Sequence, residues 1–182
     1  GITGLALALA ARDTVANIFG AISIIIDQPF NVGDWILVED IEGEVVEIGL
    51  RTTLIRSSAD TLITVPNSSL VNSPVENFSQ RRFRRIQPTF EFEANSEPNA
   101  LKSFCEKLLA IVKEDVRAVK EDSSWVRVKT FAPSMVIVAT NFYSVQSSAS
   151  QREMNEDILL VAKSIAADCG LNFHEPRMRR QH

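Results

Sequence analysis

The first 26 residues constrain this chain more than any other stretch, because their apolar character runs round the whole helix they would form. Gly1-Ile2-Thr3-Gly4-Leu5-Ala6-Leu7-Ala8-Leu9-Ala10-Ala11 pauses at Arg12-Asp13 and resumes as Thr14-Val15-Ala16-Asn17-Ile18-Phe19-Gly20-Ala21-Ile22-Ser23-Ile24-Ile25-Ile26. A helix apolar on every side needs burial all round, and a chain of 182 residues offers too little elsewhere to wrap it. Small residues alternating with leucine suit helices that pack closely on one another in lipid. The stretch carries neither the basic n-region nor the small-residue cleavage site of a signal peptide. As one helix it would span about 39 Å at 1.5 Å per residue, more than a hydrocarbon core of about 30 Å. The excess, together with Arg12-Asp13, predicts a helix that crosses the membrane, bends near Asp13 and continues along its surface.

Pro29 should end that helix, and Gly33-Asp34 turns the chain. Segments 34–38, 43–50, 52–56 and 61–65 then read as short strands, with turn chemistry at Glu42-Gly43 and Ser57-Ser58-Ala59-Asp60. Short strands joined by tight turns predict a small barrel or curled sheet. The polar, basic run from Asn77 to Arg85 marks a junction.

The chain beyond this junction has the rhythm of a βαββαβ unit. Phe90 and Phe92 lie on a first strand, whose pairing starts after Pro88. Ser96 is expected to cap a helix striped by Leu101, Phe104, Cys105, Leu108, Ile111 and Val112. Strands come next at 125–131 and 135–144. Ser150 with Glu153 reads as a capping box for a helix striped by Met154, Ile158, Val161, Ala162, Ile165 and Cys169. Gly170 closes that helix, and Leu171–His174 would add a last strand to a ferredoxin-like α+β sandwich. The expected divisions are 1–29, a transmembrane helix bent near 13; 30–80, a small β-barrel; 81–176, a ferredoxin-like domain; and 177–182, a tail.

Catalytic signals are poor. The histidines, His174 and His182, sit near the end, with no Cys/His cluster at metal spacing and no phosphate loop. No metal or cofactor is expected, and the chain does not read as an enzyme. Cys105 and Cys169 fall on apolar helix faces and read as reduced core thiols. A net charge of −4 argues against a nucleic-acid binder, although Arg81, Arg82, Arg84 and Arg85 form a local basic run. Leu5 and Leu9 are four apart and share one helix face. In a ring of helices each becomes an apolar ring, and two stacked rings make a neck that can dewet; otherwise they face lipid. Gly4, Ala6, Ala8 and Ala10 would let neighbouring helices approach and slide. Asp13 can N-cap a helix starting at Thr14, and Arg12 would put positive charge at the pore mouth.

The stretch Gly4 to Asn17, with Pro29-Phe30, Gly33-Asp34, Gly43-Glu44-Val45 and Val65-Pro66-Asn67 after it in order, resembles the small-conductance mechanosensitive channel family, with similarity from Gly1 to about Pro176. The resemblance implies a membrane protein of α+β class: a bent pore-lining helix, an Sm-like β-barrel and a ferredoxin-like domain. It implies further membrane helices upstream, so the chain reads as part of a longer protein. It implies a homoheptamer opened by membrane tension, passing ions and small osmolytes on hypo-osmotic shock, with Leu5 and Leu9 at the constriction. The membrane would be a bacterial inner membrane or that of a bacterium-derived organelle, with residues after about 30 on the cytoplasmic, matrix or stromal side. Members differ at the bend, where the best-studied type has glycine and others, like this chain at Asp13, carry charge. The basic junction would lie near side openings of a cytoplasmic vestibule, making Arg84, Arg85 and Glu91 candidates to line one; inter-subunit pairing with Glu91 and Glu93 is the other reading. A membrane-tethered, ring-forming interaction or RNA-binding module is the alternative, although Phe83 is the one aromatic interleaved with the arginines.

Overall fold

The computed structural model describes residues 1–176, so the expected tail at 177–182, with His182, lies outside the described residues. The chain falls into two compact units, Gly1–Arg81 and Arg82–His182.

The first unit opens with helix α1, Ile2–Asp27. It ends when Gln28 turns left-handed (φ 47°), its N–H donating to the Ile24 carbonyl at 2.9 Å, one residue before Pro29. Strands β1 (Trp35–Val38), β2 (Ile41–Ile48), β3 (Thr52–Arg56), β4 (Leu62–Pro66) and β5 (Val75–Asn77) form an antiparallel sheet ordered β4-β3-β2-β1-β5. Helix α2, Asn67–Asn72, sits between β4 and β5. The sheet curls around Ile36, Val38, Val45, Ile55 and Val65, and Ile24, Phe30 and Leu70 fill the same core. Of the two expected turns, Ser57–Asp60 does join β3 to β4, but Glu42 and Gly43 lie inside β2 and the turn is Glu39-Asp40, where Glu39 takes φ 55°. Gly43 is needed as a strand residue: a Cβ there would overlap the Arg56 carbonyl of β3.

Two asparagines stitch this unit together. Asn67, fully buried, donates from Nδ2 to the Gly49 carbonyl (2.8 Å) and accepts the Thr53 hydroxyl at Oδ1 (2.8 Å). Asn77 Nδ2 donates to Asp34 Oδ2 (2.9 Å) and to the Pro29 carbonyl (3.2 Å), holding the turn that leads out of α1. Asn67→Ala strands the half-buried Gly49 carbonyl and the buried Thr53 hydroxyl, so a loss of about 1–3 kcal/mol is expected, read as a lower denaturation midpoint of this unit.

The second unit is a ferredoxin-like sandwich built on β10 (Met135–Ser144). One side pairs with β6 (Arg84–Ile86) and β7 (Thr89–Glu93), the other with β8 (Ala118–Val119) and β9 (Trp125–Ala132), all antiparallel. The expected last strand is reduced to a Phe92–Phe173 bridge at the outer edge of β7, supported by His174 N–H donating to the Glu91 carbonyl at 2.8 Å. Helices α3 (Pro98–Glu114) and α4 (Ser148–Asp168) cover one face. Phe104 is fully buried and meets Phe90 and Phe92 edge-on, with ring centroids 5.6 and 4.9 Å apart. Of the α3 stripe, Ile111 is exposed and the rest is buried.

Both helix starts differ from expectation. Ser96 does not cap α3: Pro98 opens it, and the Ser96 hydroxyl donates backwards to the Glu93 carbonyl (2.7 Å). The cap of α4 is Ser147, accepting from the Ser150 N–H, so Ser150 and Glu153 lie within the helix. Gly170, at φ 72°, closes α4 as expected, with the Leu171 N–H reaching the Ala166 carbonyl at 2.8 Å. Both cysteines are free thiols, and burial pushes the Cys105 thiol up from its ordinary value.

Arg117 clamps Asp115 (2.6 Å) at the end of α3 and Asp157 (2.7 Å) on α4. The bond from Arg117 holds the Asp115 carboxyl below its usual range. A depressed acid contributes stability above its unfolded pKa of about 3.9 and loses it as pH falls further. Acid titration is therefore expected to loosen the second unit below about pH 4, and Asp115→Asn should flatten that dependence in thermal melts.

Candidate functional site

Along α1, every residue from Ile2 to Ala10 is exposed, as are Arg12 to Ala16. Leu5 is 64% and Leu9 63% exposed. Among the described residues, α1 alone is long and apolar enough to cross a membrane. At 100° per residue on an ideal helix, Leu5 and Leu9 form one row, with Ala6 and Ala10 about 100° to one side. Gly4, Ala8 and Ala11 lie roughly as far to the other. A leucine ridge between two rows of small side chains is a shape that copies of itself can pack into, and neither Gly1 nor Gly4 has a neighbour within 4 Å of its would-be Cβ.

Hydrogen-bonded helix continues through Arg12 and Asp13 without a break. Asp13 therefore caps no second helix, because Ala10, Ala11 and Ala16 favour helix on either side and no glycine or proline interrupts it. Arg12 and Asp13 point about 100° apart and make no ion pair among the described residues, so the positive charge of Arg12 is not neutralised locally.

The other end of α1 is seated. Asn17, Gly20, Ala21 and Ile24 are its buried residues, spaced as a single helical stripe, and they face α2. The Ser68 N–H in the first turn of α2 donates to Asn17 Oδ1 at 3.0 Å, so one helix caps the other. Gly20 permits the approach: a Cβ there would stand 2.9 Å from the Asn67 carbonyl carbon. Gly20→Val is expected to lift α1 off α2 and cost at least about 1–3 kcal/mol through overpacking, measurable as lost protection of the α2 amides in hydrogen exchange. Neither Asn17 nor Gly20 stands out in the sequence; the available signal is the i, i+3, i+4, i+7 stripe they form with Ala21 and Ile24.

The basic junction is largely engaged within the chain. Arg81 lies over the Phe78 ring at 4.0 Å. Arg84 donates from Nε to the Gln146 carbonyl (2.6 Å) and from Nη1 to Gln151 Oε1 (3.2 Å), tying β6 to α4. Arg85 donates from Nε to Asn141 Oδ1 (2.6 Å). Glu91 is exposed and pairs in register with Ile137, whereas Arg85 pairs with Tyr143, so the structure does not bring these vestibule candidates together within one chain. Among the described residues no group of His, Cys, Asp or Glu could hold a metal ion.

Comparison with known proteins agrees with this architecture. Residues 13–80 match the family described as "Mechanosensitive ion channel, beta-domain". An MscS family protein of Aquifex aeolicus is 31% identical over 97% of this chain and 48% of its own length. The small-conductance mechanosensitive channel MscMJ of Methanocaldococcus jannaschii is 45% identical over 62% of this chain and 32% of its own. This chain thus spans about half or less of these relatives. Among solved structures, Arabidopsis thaliana MSL1 superposes with a TM-score of 0.89 at 21% identity, covering 96% of this chain and 64% of that one. Helicobacter pylori MscS in its closed state gives 0.84 at 21% identity, covering 100% of this chain and 70% of that one. An apolar helix rooted in a small β-barrel, with a ferredoxin-like unit after it, together with these sequence matches, places the chain in the MscS-like family of mechanosensitive ion channels.

Proposed function

We propose that the protein containing this chain is a tension-gated channel of a bacterial inner membrane, or of a bacterium-derived organelle membrane, with α1 lining its pore. The observation that carries this reading is the first half of α1: an apolar rod exposed on every face, rooted at its other end in a folded domain. Seven such helices around an axis would bring Leu5 and Leu9 into two apolar rings, a neck that empties of water when narrow. The rows of Gly4, Ala8, Ala6 and Ala10 would meet between neighbours and let them slide as the neck widens. Arg12 would follow the neck as a ring of positive charge and bias permeation toward anions.

Tension does work on any state that occupies more membrane area, so it shifts the population toward the open one. Ions and small osmolytes would then leave on hypo-osmotic shock. No chemical step is required of any residue, so the role is not enzymatic. The test is to reconstitute the full-length protein in liposomes and apply graded suction to excised patches. Tension-dependent currents are expected; silent patches with inserted protein would refute the channel reading.

A further inference from the structure

The face of the ferredoxin-like sheet away from α3 and α4 carries chemistry that a channel reading does not use. Pro88 has no N–H to donate, so pairing along β10 is interrupted between β6 and β7, and a gap opens at Gln87-Pro88. Two depressions meet there, sharing Gln87 and Thr89. The first, about 530 Å³, has Ala139 and Thr140 of β10 at its centre, with Trp125, Arg127 and Lys129 along β9 on one side and Gln87 and Thr89 on the other. Lys129 follows Arg127 by two residues along β9, at the point where the register with β10 shifts. The second depression opens through the gap to the other side, where α4 bounds it, and adds Arg85 of β6 and Arg152 of α4. No carboxylate lines either one, in a chain whose net charge is −4. Among the described residues, none of these four cations takes part in an ion pair. On this face of β7 the next acid is Glu91, two residues beyond Thr89.

We propose that this depression is a binding site for a nucleoside phosphate. Trp125 is 38% exposed and presents an indole on which a base can stack. Arg127 and Lys129 supply charge-assisted donors for phosphate oxygens, and the Thr89 hydroxyl can bond a ribose. The volume falls within the range of small-ligand sites. Every residue of this site belongs to the second unit, so the site stands or falls independently of the pore.

The test is calorimetric titration of the full-length protein in nanodiscs with three probes: ATP, tripolyphosphate and adenosine. ATP is expected to bind saturably and at least about tenfold more tightly than either fragment, since stacking and charge contribute together. Trp125→Ala should weaken ATP about tenfold and leave tripolyphosphate unchanged. The double variant Arg127→Gln/Lys129→Gln should weaken both phosphates, whereas Lys163→Gln on α4 should alter neither. These side chains are exposed, and matching thermal melts would establish that the variants fold. Equal affinity for ATP and tripolyphosphate would reduce the site to a plain polyanion surface and overturn the proposal. So would the absence of saturable binding at millimolar ATP, or ATP binding indifferent to Arg127 and Lys129.

Discussion

Leu9→Ser is expected to make the channel open at lower membrane tension, with measurable openings in patches under little or no suction. In a closed ring each leucine would gain about 1.5–3 kcal/mol from leaving water. Serine forfeits that gain and gives water a partner inside the neck. Because the substitution repeats in every copy, the losses add, and a total of only about 1.4 kcal/mol already changes the open-to-closed ratio tenfold. Leu7→Ser is the control, since Leu7 lies about 200° round the helix from Leu9 and is equally bare in one chain, at 72% exposure. Its threshold should stay near that of the parent. Equal shifts in the two variants would remove Leu9 from the gate and return it to the lipid face.

Phe104→Ala should unfold the second unit while leaving the first intact. Phe104 is fully buried and joins Phe90 and Phe92 in edge-on pairs. Removing so large a ring from such a site costs about 3–5 kcal/mol, and the lost aromatic pairs fall within that sum. For a unit of this size the loss rivals the whole folding free energy. Thermal denaturation followed through Trp125 should drop by many degrees, while Trp35, in β1 of the first unit, reports a transition near the parent's. A parallel drop at Trp35 would mean that the units do not melt separately.

Much of this architecture is legible in the chain, and the misreadings have physical causes. The alternation through β2 looks imperfect because Val46 is an extra residue: Val45 faces Ile55 and Glu47 faces Leu54, so the inward set slips by one. Sequence periodicity sees a fault where the sheet has a bulge. Helix starts are misread by one to three residues because Ser96, Ser147 and Ser150 are alike as capping residues, and which is used depends on the loop each must close. The stripes of α3 and α4 are readable since their partners are one continuous sheet, with Ile111 alone falling beyond it. The seat of α1 is not, because Asn17 and Gly20 acquire meaning only against α2, a six-residue helix with no apolar period of its own. Leu5 and Leu9 present the opposite case. Their row is evident in the sequence, yet within one chain they are as bare as Leu7, because the surface that would distinguish them belongs to other copies.

The rooting of α1 has a mechanical consequence. Ile24 and Phe30 belong to the barrel core, and Gln28 and Pro29 leave no slack between them. The helix therefore behaves as a lever clamped over Asn17–Ile24, a grip of about 10 Å, with a free arm from Ile2 to Asn17 of about 22 Å at 1.5 Å per residue. A sideways force on the arm's tip reaches the contacts of the clamp multiplied about twofold by that ratio of lengths. It falls first on the Asn17–Ser68 hydrogen bond and the bare Gly20–Asn67 contact, so with α1 in the membrane as proposed, α2 is the fulcrum through which the barrel would feel it.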